Sequence, residues 1–221
     1  SKIDVVSSGW QYFDQMIGGG FGPKTLHAFM GESNIGKSIF LANLAANAVR
    51  GGHNTVYISA EMSAPKALKR LGANLMGIRM DDYDSFSWDT VRVKRALQQV
   101  GTGLTPPGEL FVKEFPTSSA TVQDLENYLL EVQDIKKIKF KFVVVDYINI
   151  LANSRNPNSE NIYMKIKQIA EDLRGMMVRN DWIGLTVTQV NASGLSNNDL
   201  NQSNVSESKA LIHTVDSLMG I

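Results

Sequence analysis

Residues 31–38 decide the fold, and they read Gly31-Glu32-Ser33-Asn34-Ile35-Gly36-Lys37-Ser38. This stretch fits the pattern G-x-x-x-x-G-K-[ST], which is the phosphate-cradling P-loop. Its glycines let the backbone fold around an anion, so that several amide N–H groups converge on it. In such a loop Lys37 reaches the β- and γ-phosphates, and the Ser38 hydroxyl helps to hold a magnesium ion. The motif therefore predicts that the chain binds a nucleoside triphosphate.

The sequence on either side of the motif supports this interpretation. Residues 25–30 are typical of a short buried strand, and residues 38–49 are typical of a helix. A strand, a glycine loop and a helix N-terminus direct free N–H groups and the helix dipole at a phosphate. The alternative is a glycine-rich turn with an incidental lysine, which leaves this arrangement unexplained.

The composition excludes several classes of site. Lys and Arg together number 22, as do Asp and Glu, so the formal net charge is zero. The chain therefore lacks the overall positive charge that is typical of nucleic-acid-binding proteins. Any contact with nucleic acid must be local or built by assembling copies of the chain. Cysteine is absent, which excludes disulfides and cysteine-ligated zinc within these residues. Because membrane-span and signal-peptide patterns are also lacking, we expect a cytoplasmic protein with no membrane partner.

The rest of the chain alternates strands and helices. Strands are predicted at residues 25–30, 55–59, 110–112, 142–146, 183–188 and 217–219. Helices are predicted at residues 9–16, 38–49, 65–76, 88–100, 121–133 and 161–180, with a solvated turn at residues 81–84. Because the strands are apolar throughout, the pattern predicts an α/β fold with a mostly parallel central sheet and helices on both faces.

Ligands of such sheets bind at the carboxyl ends of the strands, where three polar residues follow predicted strands. Asp146 closes an apolar run in the Walker B pattern and can hold magnesium, usually through water, unless it is only a cap or turn residue. Glu61 can orient the water that attacks the γ-phosphate, or it can be a charge on the next helix. Gln189 can hydrogen-bond the γ-phosphate and report its departure to the attached loop. Spacing alone leaves the role of Gln189 open.

Four blocks of the sequence, in this order, resemble the helicase domain of DnaB-type replicative helicases, which belong to the RecA-like ATPases. The blocks are residues 31–38, 57–62, 143–148 and 188–191. The pairs Glu61-Met62 and Asp146-Tyr147 are more specific than a bare P-loop. The likeness is closest to the replicative helicases of T-even-type phages. It spans nearly the whole chain, and for a phage-encoded protein it implies a location in the cytoplasm of the bacterial host.

The resemblance implies a role for each candidate residue. Glu61 matches the catalytic carboxylate, Gln189 matches the γ-phosphate sensor, and Lys37 keeps its place at the phosphates. Residues 31–38 hold ATP, while Ser38 and Asp146 hold Mg²⁺. In this family ATP lies between neighbouring subunits of a hexameric ring that moves along single-stranded DNA and unwinds the duplex. A primase and a helicase loader are implied as partners.

Loops that face the central channel grip single-stranded DNA in this family, and the matching segments here are residues 152–162 and 190–208. The candidate contacts are Arg155 in the first segment, Asn191 in the second and Lys209 just past the second, because Asn side chains and cations bind phosphates without reading sequence. Neither segment offers an aromatic stacking platform. The basic run over residues 136–141 is explained more simply by cations at a helix C-terminus.

The resemblance also implies parts that these residues do not include. Family members continue past the strand near residue 218 with strands that supply an arginine finger, and a further domain precedes this one. We therefore expect residues 1–221 to be one RecA-like domain, truncated at its C-terminus and lacking the N-terminal domain, that binds ATP but hydrolyses it poorly when isolated. Arg174 and Arg179 are expected to solvate the exposed face of their helix rather than replace the finger.

Two other functions are compatible with the same motifs. One is a recombinase or KaiC-like regulatory ATPase, which forms filaments or rings without unwinding DNA. The other is a nucleotide-dependent assembly module that has lost catalysis. The pairs Glu61-Met62 and Asp146-Tyr147 favour the helicase.

Overall fold

The computed structural model describes residues 4–32, 35–59, 62–101, 105–117, 119–157, 161–189 and 209–221. Within these ranges one sheet contains the strands β1 (Thr25–Gly31), β2 (Thr55–Ser59), β3 (Leu110–Glu114), β4 (Phe142–Asp146), β5 (Ile183–Gln189) and β6 (Ser217–Gly220). The strands lie in the order β3-β2-β4-β5-β1-β6, and each neighbouring pair is parallel. The predicted parallel sheet is confirmed, and each predicted strand is part of it.

Helices connect and cover the strands. They are α1 (Gln11–Met16), α2 (Lys37–Arg50), α3 (Ala64–Met76), α4 (Tyr83–Ser87), α5 (Thr90–Gln98), α6 (Val122–Lys136) and α7 (Ile162–Asn180). The prediction of a turn at residues 81–84 was wrong, because this segment belongs to a 3-10 helix, Met80–Asp82, and to α4, although it is largely exposed to solvent as predicted. Lys69 of α3 pairs with Asp84 at 2.6 Å, and a Cβ at Gly72 would lie 2.9 Å from the Tyr83 ring. These contacts with α3 outweigh the local preference of the acidic run for a turn.

A hydrophobic core lies on each face of the sheet. On one face α6 and α7 pack against alternate strand residues, with Leu125, Leu129, Ile169, Leu173, Val143 and Val145 among the members. On the other face α2 and α3 do the same, with Leu41, Leu44, Leu71, Tyr57, Phe142 and Val144. Successive residues of a strand point to opposite faces, so a strand between two helical layers is apolar throughout. The predicted helices on both faces are thereby confirmed.

The ends of α6 follow from its sequence. Thr121 and Asp124 form a reciprocal capping box at the N-terminus, in which each side chain accepts a hydrogen bond from the other residue's backbone N–H. Lys136 is the last helical residue, and Lys137 follows in the left-handed conformation with φ 55°. Lys136 and Lys137 of the basic run therefore stand at a helix C-terminus, as the simpler interpretation predicted.

Ion pairs join α7 to its neighbours. Arg174 pairs with Asp216 at 2.9 Å, and Arg179 pairs with Glu126 of α6 at 2.6 Å. The expectation that these arginines only solvate an exposed helix face was wrong, because the fold brings distant carboxylates within reach. Asp216 also accepts a hydrogen bond from the Leu26 N–H at 2.9 Å. The residue before β6 is therefore tied to both α7 and β1.

The sheet topology brings three candidate positions to one edge. Since all strands are parallel, their carboxyl ends lie together, and β4, β5 and β1 are consecutive neighbours. Asp146, Gln189 and Gly31 are the last residues of these three strands.

In the described part of the chain, no helix combines the length and the apolar character needed to cross a membrane.

Candidate nucleotide-binding site

The P-loop connects the end of β1 to the start of α2. Gly36 immediately precedes α2 and has φ 98°, a conformation that side chains other than glycine rarely adopt. Because α2 begins at Lys37, the first backbone N–H groups of the helix are directed toward the loop and not into a preceding helical turn. This is the geometry with which a helix N-terminus binds an anion. Ser33 and Asn34 of the predicted loop lie outside the described residues.

Gly31 and Lys37 shape the start of the loop. A Cβ at Gly31 would lie 2.2 Å from Ile35 Cδ1 and 3.0 Å from the carbonyl oxygen of Ile221, so a larger residue would have to displace the Ile35 side chain. The Lys37 ammonium donates to the carbonyl oxygen of Gly31 at 3.1 Å and to that of Glu32 at 2.5 Å. The lysine therefore lies against the loop instead of extending into solvent.

Asp146 is a buried carboxylate at the end of β4, with only 3% of its surface exposed. Its Oδ2 accepts a hydrogen bond of 2.5 Å from the hydroxyl of Tyr57 on β2. The 3-10 helix that follows, Ile148–Ile150, is preceded by Tyr147 as its cap residue, so Asp146 is not a helix cap. The residue predicted from the Walker B pattern thus lies at the carboxyl end of β4.

The side chains at this edge fit a magnesium ion that arrives with a nucleotide. Mg²⁺ keeps several waters and is bound by one or two carboxylates together with substrate phosphates. Over the described ranges, no group of three or more His, Cys, Asp or Glu residues lies close enough to hold a metal ion. One buried carboxylate, Asp146, and one P-loop hydroxyl, Ser38, suit an ion whose other ligands are phosphate oxygens and water.

Gln189 ends β5 beside the P-loop. The β1–β5 register pairs Gln189 with Gly31, so its backbone is next to the first residue of the motif. Its side chain is not among the described atoms, and the role of γ-phosphate sensor stays a prediction.

Glu61 lies outside the described residues, but the residues that flank it are described. The Ser59 hydroxyl donates to the Met62 carbonyl oxygen at 2.6 Å and accepts from the Met62 N–H at 3.0 Å. Ser59 is also opposite Asp146 in the β2–β4 register. The described strand β2 therefore ends next to Asp146, two residues before Glu61 in the sequence, and the catalytic role of Glu61 stays a prediction.

The predicted DNA contacts differ in what the structure shows. Arg155 donates hydrogen bonds to Glu171 at 2.9 Å and to Asp172, both on α7. The hydrogen bonds that Arg155 donates to Asp172 are the main reason that the pKa of Arg155 is raised. A DNA phosphate at Arg155 would have to compete with two carboxylates, and its role stays a prediction. Lys209 is exposed, while Asn191 lies outside the described residues.

Tyr57 is the site residue that sequence reasoning missed. The sequence predicts only that Tyr57 lies in a buried strand, because an aromatic residue within an apolar run is typical of a hydrophobic core. Its hydroxyl contact with Asp146 depends on the register of β2 against β4, and this register is not encoded in either strand alone. The residue type is the available signal, because a buried tyrosine usually finds a hydrogen-bond partner.

Sequence comparisons place the chain among known proteins. A family model described as the DnaB-like helicase C terminal domain matches residues 5–219. The DnaB-like replicative helicase of Enterobacteria phage T4 is 33% identical over 204 residues, which are 92% of this chain and 43% of that protein. The chain thus spans less than half the length of this curated relative.

Two solved structures share the fold. One is described as an ATPase domain and has a TM-score of 0.74 at 18% identity, covering 100% of this chain and 77% of the other. The second is a DnaB-like replicative helicase described with its interactions with primase. Its TM-score is 0.75 at 19% identity, covering 99% of this chain and 51% of the other. The fold is therefore RecA-like, and the match over residues 5–219 shows that the chain belongs to the DnaB-like helicase C-terminal domain family.

Proposed function

We propose that this chain is the motor domain of a replicative DNA helicase, which hydrolyses ATP to move along single-stranded DNA and unwind the duplex. The observation that carries the proposal is the meeting of the P-loop, the buried Asp146 carboxylate and the end of β5 at one edge of a parallel sheet. Membership of the DnaB-like family supports the choice of DNA unwinding over other uses of ATP.

In this proposal each residue has a distinct task. Backbone N–H groups of the P-loop bind the phosphates, and Lys37 balances their charge. Ser38 and Asp146 hold Mg²⁺, which neutralises charge on the phosphate oxygens when it is bound. Glu61 orients the attacking water, and Gln189 hydrogen-bonds the γ-phosphate.

The proposal includes a hexameric ring with ATP between neighbouring subunits. Exposed apolar side chains support assembly: Trp88 is 86% exposed and Val91 is 63% exposed. Large exposed apolar groups of this kind mark interaction surfaces.

Single-stranded DNA would pass Arg155, Asn191 and Lys209, and a primase and a helicase loader would be partners. One structural neighbour is described with its interactions with primase. The site of action would be the cytoplasm of the bacterial host.

Glu61→Gln tests the catalytic part of the proposal in the complete protein. The amide keeps the shape of the carboxylate but cannot accept a proton, so we expect ATP turnover to fall by about 10²–10⁴-fold. ATP affinity, measured by equilibrium binding of a fluorescent ATP analogue, should change by no more than about threefold, because the P-loop is untouched.

Glu114→Gln is the matched control for this experiment. Glu114 ends β3 and accepts a hydrogen bond from the Ala64 N–H at 2.9 Å, which an amide oxygen can also accept. Its turnover should therefore match the wild type. Unwinding of a forked DNA by the wild type tests the helicase. ATP turnover without strand separation would instead favour a recombinase or regulatory ATPase.

A further inference from the structure

A buried tyrosine holds the carboxylate that the proposed function assigns to magnesium. Tyr57 lies in the middle of β2, its side chain is 0% exposed, and its hydroxyl donates to Asp146 Oδ2 at 2.5 Å. Asp146 is itself 3% exposed. Since both partners are excluded from water, solvent does not readily replace this hydrogen bond.

The sheet register explains why these two side chains meet. Tyr57 is opposite Val144 in the β2–β4 pairing, and Asp146 is two residues beyond Val144. Residues two apart in a strand point to the same face, so Tyr57 and Asp146 are diagonal neighbours on one face. A tyrosine is long enough to bridge such a diagonal with its hydroxyl. The neighbouring Ser59, directly opposite Asp146, turns its own hydroxyl to Met62.

We propose that Tyr57 is a positioning residue for Asp146 and thereby sets the Mg²⁺ affinity of the nucleotide site. The hydroxyl occupies one carboxylate oxygen and fixes the side-chain rotamer, which leaves the other oxygen to face the ion or its water. Ligand-orienting partners of this kind typically change metal affinity or activity by about 10–100-fold when they are removed. The inference rests on the proposed function, because it takes Asp146 as the metal-holding carboxylate.

Tyr57→Phe in the complete protein isolates the hydroxyl, since the phenyl ring keeps its place in the core formed with α2 and α3. The probe is Mg²⁺, titrated at a fixed concentration of a fluorescent ATP analogue. We expect the Mg²⁺ concentration for half-maximal binding or turnover to rise by about tenfold or more. Binding of the same analogue in EDTA, without metal, should stay within about twofold of the wild type.

Thr186→Val is the matched control. Thr186 is also fully buried, and its hydroxyl donates to the Val145 carbonyl oxygen at 2.8 Å, one residue before Asp146. This variant removes a buried hydroxyl from the adjacent strand without touching the carboxylate. Its melting temperature should fall as much as that of Tyr57→Phe or more, while its Mg²⁺ dependence should match the wild type.

A double-mutant cycle separates positioning from general damage to the fold. In an Asp146→Asn background there is no carboxylate to position, so adding Tyr57→Phe should leave the remaining Mg²⁺ dependence unchanged. An effect of equal size in both backgrounds, or a wild-type Mg²⁺ curve for Tyr57→Phe, would overturn the inference. If the wild type itself showed no Mg²⁺-dependent nucleotide binding, the proposed function would fail instead, and the two failures are thus distinct.

Discussion

At the scale of the residue, His27 shows how neighbouring hydroxyls select one form of an imidazole. The Thr25 hydroxyl donates to the Gly22 carbonyl oxygen at 2.6 Å, so at 2.8 Å it accepts from the Nε2–H of His27. Nδ1 then accepts from the Ser217 hydroxyl at 2.6 Å. The neutral imidazole satisfies both contacts, and it links β1 to the edge strand β6.

We expect the neutral state of His27 to make the fold sensitive to acid. Burial lowers the pKa of His27 from 6.5 to about 4, although the negative charge of Asp216 opposes the shift. Between these values the unfolded chain binds a proton that the folded chain does not, so the free energy of unfolding decreases as pH falls. The full decrease is about 3 kcal/mol. Urea unfolding at a series of pH values measures it.

His27→Gln removes the titrating group and should flatten the loss of stability between about pH 6.5 and pH 4. The comparison uses only the slope of the free energy of unfolding against pH, because the substitution also changes the stability at neutral pH. His213→Gln alters an exposed histidine and serves as the control. Parallel curves for wild type and His27→Gln would show that His27 does not contribute to acid sensitivity.

At the scale of the element, a salt bridge between one exposed and one buried side chain joins α7 to α6. The Glu126 side chain is 7% exposed, whereas the Arg179 side chain is 56% exposed. Burial raises the pKa of Glu126, but hydrogen bonds from Arg179 and Asn180 outweigh this effect and lower its pKa overall. The buried Glu126 carboxylate therefore depends on the salt bridge to stay charged, whereas the exposed Arg179 guanidinium is also stabilised by solvent.

Arg179→Met should lower the free energy of unfolding by about 2–3 kcal/mol, because it leaves a buried carboxylate with Asn180 as its remaining side-chain donor among the described hydrogen bonds. Adding Glu126→Gln should recover part of the loss, since no charge is then buried. Arg155→Met, which breaks pairs on the exposed side of α7, should cost less than about 1 kcal/mol. Urea denaturation measures all three, and equal losses for the two single variants would contradict this account.

At the scale of the whole molecule, local patterns predicted the fold and part of the site. Each strand contains a short run of mostly apolar residues, and the P-loop residues Lys37 and Ser38 lie in one motif. Asp146 was found in the same way, because it directly follows such a run. The strand order was not predicted, since it depends on which strands pair across long stretches of chain. Tyr57 and the ion pairs of Arg155 were missed for the same reason.

The α4–α5 surface, which carries Trp88, Val91 and Leu97, leaves large apolar side chains exposed in the described part of the chain. These side chains are 86%, 63% and 49% exposed. Arg92 and Arg95 of α5 lie beside them, and none of the carboxylates in the described ranges forms a salt bridge with either arginine. We propose that a neighbouring copy of the chain covers this surface in the ring.

Trp88→Ser should weaken assembly of the complete protein, because a tryptophan buried at an interface commonly contributes about 2 kcal/mol or more. That corresponds to a rise of about 30-fold or more in the concentration needed for assembly. Sedimentation with ATP and Mg²⁺ over a range of protein concentrations measures it.

Ile135→Ser, which alters a 66% exposed side chain near the end of α6, is the control and should assemble like the wild type. Since ATP is proposed to lie between subunits, turnover of Trp88→Ser should recover at high protein concentration. Wild-type assembly by Trp88→Ser would exclude this surface from the subunit interface.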